Sequence, residues 1–274
     1  MEIPPAGNTG ILILVIMLTE GFTIIDQVNV PEKVSPVNLF EKRYIELRSR
    51  EQRIYSDEEL LHLPVISKEH PHYPEWQVRK RTADKLLERL LQKQKPLQIL
   101  EVGCGNGWLS KQLVAIHGSK VIGSDVNFTE LQQAARVFSH IPNLHFIYGD
   151  IRSGLFEEME FDCVVFAACI QYFPSLPEII SQALSLLKLG GEMHILDSPF
   201  YKPTAIPAAR QRTADYYKGA GFPEMTRHYF HHSWDELSVI EYELLYDPSS
   251  LQHFFSKNKN PFPWICIKRT AILA

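Results

Sequence analysis

Between Ile99 and Leu109 the chain reads Ile-Leu-Glu-Val-Gly-Cys-Gly-Asn-Gly-Trp-Leu, an apolar strand running directly into three alternate glycines and then a helix. Glycine adopts positive φ without steric cost and lets a ligand touch the backbone. The helix that follows adds free N–H groups in its first turn. Such a turn confines the segment to the edge of a sheet where strands end and helices begin.

The residues around it extend that reading. Gln98–Val102, 120–124, 144–148, 161–168 and 192–196 read as buried strands, and 108–116, 129–139 and 176–187 as helices between them. This alternation predicts a parallel α/β sheet covered on both faces. Asp125 ends the second strand about 20 residues after the glycines, placed to accept both hydroxyls of a ribose. Asp150 ends the third strand, on the edge where open α/β sheets bind ligands. Either acid alone could be a helix cap; together with the glycine turn they describe a nucleoside site. A dinucleotide wants G-x-G-x-x-G, so that its pyrophosphate meets a helix N-terminus. Here the spacing is G-x-G-x-G and Glu101 stands two residues before the first glycine. A carboxylate there suits a cofactor with an ammonium group and no phosphate.

The rest of the 274 residues frames this unit. Residues 1–75 are read as an N-terminal extension, mostly helical, that acts as a lid. Residues 76–274 are read as the main domain, with an insertion at 198–233 rich in Tyr, His, Arg and Pro. Asn38 is placed to cap a helix reaching Arg53, and Ser56 with Glu59 and Ser233 with Glu236 have capping-box spacing. Residues 70–74 (His-Pro-His-Tyr-Pro) read as an extended link before an amphipathic helix carrying Trp76, Ala83, Leu86 and Leu90. Residues 241–246 and 263–268 read as two last strands. The apolar run Ile11–Leu18 is shorter than the roughly 20 residues of a membrane span and lacks the flanks of a signal peptide, so it is read as a buried strand or short helix. A net charge of −4 with pI near 6.3 argues against a protein built to grip nucleic acid phosphates. The four cysteines show no C-x-x-C pair, which predicts no metal or redox site and a reducing, cytoplasmic setting.

The segment from Leu97 to about Asp197 resembles the class I S-adenosylmethionine-dependent methyltransferases. Residues 101–107 (Glu-Val-Gly-Cys-Gly-Asn-Gly) resemble the family's first motif and 123–125 (Gly-Ser-Asp) the acidic end of its second strand. Residues 149–151 (Gly-Asp-Ile) resemble its adenine-contacting motif and 161–167 its fourth-strand motif. The Gly190-Gly191 turn resembles the entry to its fifth strand. The resemblance implies a doubly wound, Rossmann-like, seven-stranded sheet, mostly parallel with an antiparallel last strand. It implies S-adenosyl-L-methionine as cofactor. Gly103, Cys104 and Gly105 would face its methionine part, with Glu101 near the amino group. Asp125 and Val126 would hold the ribose side, Asp150 and Ile151 the adenine, and Ala167 the sulfonium side.

Methyl transfer asks the protein mainly for alignment, because the sulfonium is a built-in leaving group. An oxygen or nitrogen acceptor can need a base, and Asp197, Tyr201 and His231 are the candidates, with His228 and His232 beside them. Arg210, Arg212 and Gln171 are candidates for gripping a small-molecule acceptor, with Gln171 standing where many small-molecule members carry His. The alternatives are a nicotinamide-dependent oxidoreductase and a non-catalytic methyltransferase-like module. No nucleic acid or membrane partner is expected, and the oligomeric state stays open.

Overall fold

The computed structural model describes residues 21–32, 34, 39–156, 159–250 and 259–271. The apolar run 11–18 and the cap position Asn38 lie outside them. The strands are β1 (Phe22–Ile25), β2 (Val28–Pro31), β3 (Gln98–Val102), β4 (Lys120–Asp125), β5 (Leu144–Tyr148), β6 (Phe161–Ala167), β7 (Leu187–Leu196), β8 (Glu243–Tyr246) and β9 (Trp264–Lys268). The helices are α1 (Leu39–Arg50), α2 (Asp57–His62), α3 (Tyr73–Leu91), α4 (Trp108–Leu113), α5 (Phe128–Val137), α6 (Leu176–Ser185) and α7 (Ile206–Ala220).

One sheet of order β1-β2-β5-β4-β3-β6-β7-β9-β8 holds them together. From β5 to β7 every pairing is parallel; β9 runs antiparallel to β7, and β8 antiparallel to β9. The order reverses at β3, between the outward-building halves β4–β5 and β6–β7. That is the switch point at which doubly wound sheets bind ligands, beyond the carboxyl ends of the strands.

Among the described residues the sheet has nine strands where seven were expected. The extra pair is the hairpin β1–β2, which joins the β5 edge through Asn29, whose Nδ2 donates to the Phe146 carbonyl at 3.0 Å. Its two-residue turn is Asp26-Gln27, at φ of 49° and 66°. Positive φ at both central residues is the turn that suits hairpin twist, but it is usually signalled by Asn-Gly or Asp-Gly. Without a glycine, and with only four residues per strand, the hairpin leaves little trace in the sequence.

Alternation along the strands divides the core. Ile99, Val121, Phe146, Cys163 and Val165 face α3, α4 and α5; Leu100, Ile122, Ile147, Val164 and Phe166 face α6. A third, small core joins α1 to the insertion through Leu47, Tyr217, Phe222 and Met225. The Ser56–Glu59 and Ser233–Glu236 capping boxes both form. Residues 70–74 are not wholly an extended link, since α3 begins at Tyr73 with Pro74 in its first turn, where a missing N–H costs nothing.

Candidate active site

The glycine turn is built by packing as much as by ligand access. Gly103, Gly105 and Gly107 sit at φ of 68°, 52° and 73°. A Cβ on Gly103 would lie 2.6 Å from the Cys169 Cβ, and one on Gly107 2.5 Å from the Phe146 ring. Gly105 is less crowded, with Glu130 Oε2 at 3.3 Å from the same position. The N–H groups of Gly103 and Cys104 donate to the Ser124 carbonyl at 2.8 and 3.1 Å. The N–H of Gly105 donates to Asp125 Oδ2 at 2.7 Å, and that of Asn127 to Asp125 Oδ1 at 2.8 Å. The ends of β3 and β4 are thereby locked to each other.

A cavity of about 470 Å³ opens beyond these strand ends. Glu101, Gly103, Cys104, Gly105 and Asp125 line it, as do Val126, Asp150, Ile151 and Ala167. All nine residues singled out for the cofactor are brought together. Glu101 accepts from the Ser110 hydroxyl on α4, and burial with Asp125 nearby pushes its carboxyl up to about 8. Burial also raises Asp125, against the pull of its backbone donors. Asp150 is the exception: burial would raise it, but Arg152 chelates the carboxylate and holds it below the usual range.

Sequence reasoning missed the other half of the lining. Glu130 on α5 reaches the cavity, and burial pushes it up to about 7 although Arg48 draws it down. From α1 come Phe40, Tyr44 and Arg48, from the link between α1 and α2 Tyr55, and from α3 Trp76 and Arg79. Tyr172 and Phe173 follow β6. Trp76 Nε1 donates to Tyr55 Oη at 2.7 Å, and its ring meets Trp108 edge-on at 5.1 Å. Burial would raise Glu75, but Arg53 and Arg79 bring it down to about 2. α1 is fixed over the cavity by Glu41, which accepts from the N–H and hydroxyl of Thr129, both at 2.8 Å, at the start of α5. In sequence Tyr44, Arg48, Arg79 and Glu130 read as parts of the polar faces of amphipathic helices, and Trp76 as part of an apolar face.

Of the candidates for base or acceptor grip, only His228 lines this cavity. Asp197, at φ 50°, is buried against α3, where Thr82 Oγ1 donates to it at 2.8 Å. Tyr201 forms a lone strand bridge to Ser233, its ring 5.5 Å from His231. His231 Nε2 is 2.9 Å from the Thr213 hydroxyl. Arg210 and Arg212 are exposed on α7. Gln171 is buried and ties two loops: its Nε2 donates to the Ala168 carbonyl at 2.7 Å and its Oε1 accepts from Ser198 at 3.2 Å. Arg210 and His231 instead line a separate cavity of about 480 Å³ with His232 and Glu236. The physical reason is α7: the insertion folds as a helix packed beside α1, so most of its polar residues point away from the strand ends. From the insertion, His228 does line the site.

Glu192, His194 and Cys266 converge under α3, with potential ligand atoms within 4.8 Å of one another. Their chemistry opposes a cation. Trp264 Nε1 donates to His194 Nδ1 at 3.2 Å, so the neutral ring carries its proton on Nε2, the atom facing Glu192. Lys93 and Arg89 already pair with the Glu192 carboxylate at 3.0 and 3.3 Å.

A doubly wound sheet with this order, a glycine turn and acids on successive strand ends define a class I methyltransferase domain. Residues 99–191 match the family described as "Methyltransferase domain", and this segment is a class I S-adenosylmethionine-dependent methyltransferase domain, of a family whose methyl donor is S-adenosylmethionine. The chain is 30% identical over 123 residues to malonyl-[acyl-carrier protein] O-methyltransferase of Halalkalibacterium halodurans, over 42% of this chain and 45% of that protein. It is 28% identical over 102 residues to a sterol 24-C-methyltransferase of Saccharomyces cerevisiae, over 36% of this chain and 27% of that one. The chain thus spans less than half the length of the curated relatives it matches. Geranyl diphosphate C-methyltransferase from Streptomyces coelicolor A3(2), solved with S-adenosyl-L-homocysteine, shares the fold at a TM-score of 0.54 and 13% identity, over 86% of this chain and all of that one. Among the described residues no helix is long and apolar enough to cross a membrane.

Proposed function

We propose that the chain transfers a methyl group from S-adenosylmethionine to an oxygen or nitrogen of a small-molecule acceptor. The observation that carries this is the charge of the cavity beside the glycine turn: Glu101 is buried there, Asp125 and Glu130 are half-buried beside it, and desolvation raises all three despite hydrogen bonds and guanidiniums that pull them down. Crowded carboxylates favour a cationic ligand and oppose a pyrophosphate. That preference speaks for a sulfonium with an ammonium group and against a nicotinamide dinucleotide.

The cofactor supplies an activated methyl on a good leaving group. Glu101 and Arg79, in one cavity, offer an anion and a cation to the two ends of an amino-acid zwitterion. Asp125 has lone pairs left for ribose hydroxyls after its two backbone bonds. Asp150, sharing its carboxylate with Arg152, and Ile151 and Val126 would flank the adenine. The backbone of Gly103, Cys104, Gly105 and Ala167 would face the rest. The segment from Phe40 to Arg79 roofs the cavity, excludes water and aligns the acceptor, which fits residues 1–75 as a lid whose helices reach on into α3. The 198–233 insertion acts at the acceptor side through His228 and by packing against α1. Four cysteines that are free and buried support a reducing, cytoplasmic setting.

Calorimetric titration with S-adenosylmethionine, S-adenosylhomocysteine and NAD tests the cofactor. The first two should bind and NAD should not; NAD binding alone would overturn the proposal. A methyl-release assay over alcohols, acids and amines then separates an enzyme from a non-catalytic module.

A further inference from the structure

The cavity has a second end of different chemistry, built by α1, the turn after β6 and the insertion. Phe40, Tyr44, Tyr172, Phe173 and His228 wall it. Four of these rings form a connected set: Phe40 lies 4.6 Å from His228 and 5.9 Å from Tyr44, and Tyr44 meets Tyr172 edge-on at 6.0 Å. Arg48 enters the cavity among them, its Nε donating to Tyr44 Oη at 2.9 Å and its Cζ 4.9 Å above the Tyr44 ring. Aromatic walls favour a flat, apolar body, and a guanidinium beside them favours an anionic group.

Arg48 feels the carboxylates of Glu130 and Glu51, but no close, unshared ion pair holds it. Its carboxylate partner Glu51 is at 3.4 Å and is shared with Arg53 at 3.3 Å. Arg53 and Arg79 in turn share Glu75, at 2.6 and 2.9 Å. Glu51 and Glu75 are thus each divided between two guanidiniums, and neither is held by Arg48 alone. Among the described residues, this end offers no free base. His228 Nε2 accepts from Arg227 Nε at 3.1 Å, which leaves the ring proton on Nδ1. The Tyr44 phenol is held protonated by burial. Glu130 and Glu101 hold protons more readily, but they lie against Gly105 and Ser110 in the carboxylate-rich end. An acceptor that must lose a proton during the reaction has nothing here to give it to; one that arrives ionised needs nothing.

We infer that the acceptor is a planar carboxylic acid, its ring or conjugated body held between Phe40, Tyr44 and Tyr172 and its carboxylate by Arg48. This deepens the methyltransferase reading and rests on it. A carboxylate oxygen forms the new O–C bond as the methyl's C–S bond breaks, and that bond's electron pair stays on sulfur. The products are a neutral methyl ester and a neutral thioether, and no proton moves. Arg48 binds and orients the carboxylate in a monodentate contact that leaves one oxygen free to react.

The test uses the full chain saturated with S-adenosylhomocysteine. Benzoate, trans-cinnamate and 3-phenylpropionate are each titrated against their own amides, which match them in shape and lack the charge. The acids should bind more tightly than their amides, the planar benzoate and cinnamate showing the larger preference, by about tenfold or more for a charge-assisted bond. Arg48→Met should erase the preference, Arg48→Lys should restore part of it, and both should bind S-adenosylhomocysteine as the parent does, which also shows that they fold. Equal binding of acid and amide, absence of binding by every acid, or a preference that survives Arg48→Met overturns the inference while the cofactor reading stands. Failure of the parent chain to bind S-adenosylhomocysteine overturns both, and the first titration alone reveals it.

Discussion

The backbone N–H of Gly105 donates to Oδ2 of Asp125 at 2.7 Å, so the acid ending β4 also holds the shape of the turn after β3. A residue suited to a ribose is thus a structural bracket between two strands. Asp125→Ala would remove the acceptor for Gly105 and for Asn127, leaving two N–H groups short of a partner in a buried site. The cost should be about 1–3 kcal/mol per unsatisfied group, so the variant should lose thermal stability as well as at least tenfold in cofactor affinity. Asp125→Asn, which retains one carbonyl oxygen, should lose less of each. A melting curve and a titration on both variants check this; affinity lost with an unchanged Tm would mean that the bracket is idle.

Glu101 makes stability depend on pH in an unusual direction. Its carboxyl is pushed from 4.5 up to about 8 by burial and by Asp125, and Glu130 up to about 7. The folded protein then keeps protons that the unfolded chain releases above about pH 4.5, so the stability these groups confer is full below that value and falls as pH rises to about 8. Cofactor-free protein should therefore melt at lower temperature at pH 8 than at pH 6, and Glu101→Gln should flatten the trend. Affinity for the cationic cofactor should move the opposite way and strengthen as Glu101 ionises. Calorimetry across pH 5.5–8.5 on both proteins decides it; a parent Tm that rises through this range would contradict the assignment.

Much of the site could be read in the sequence because it is carried by local rules. Gly103, Asp125, Asp150 and Ala167 stand at or just past strand ends, and a strand's end follows from its apolar run and the turn after it. The roof is different. Tyr44, Arg48 and Arg79 occupy polar faces of amphipathic helices, and only tertiary packing decides whether such a face meets solvent or a cavity. The insertion shows the converse. Arg210, Arg212 and His231 have the side chains of an acceptor pocket, yet α7 packs on Leu47 of α1 and turns them away. Composition describes what a segment could bind; its direction is set by contacts far apart in the chain.

Gly103 and Gly105 should separate under substitution. Gly103→Ala would place its Cβ 2.6 Å from that of Cys169 at a φ of 68°, with backbone held by Ser124 on the other side. No flexible side-chain end is available to yield, so this variant should be strongly destabilised, by several kcal/mol, or fail to accumulate. Gly105→Ala meets only the mobile carboxylate of Glu130 at 3.3 Å and should fold with a smaller loss, while weakening cofactor binding where the ligand approaches the backbone. Denaturant melts of the two variants, followed by titration of whichever folds, test the ranking. A Gly105→Ala protein that binds the cofactor as the parent does would reduce that glycine to a turn former.

Glu41 lines the cavity and ties its roof to α5. Its buried carboxylate accepts two bonds of 2.8 Å from Thr129 in the first turn of α5, where the helix dipole also favours an anion. The other polar ties of α1, Arg50 to the Ala220 carbonyl at 2.7 Å and Arg43 to Glu224 at 3.2 Å, are exposed and should count for little. Glu41→Ala should cost roughly 1–2 kcal/mol, the charged partner having gone while its donors stay partly buried. Because α1 carries Tyr44 and Arg48, the loss should appear first as motion of the roof: amide exchange over residues 39–50 should speed up, cofactor should leave faster, and KM for an acceptor should rise more than kcat falls. Arg43→Ala should do none of this. If exchange over 39–50 stays as slow in Glu41→Ala as in the parent, α1 is held by its apolar packing on Tyr217 and Met225, and the latch assigned to Glu41 is not one.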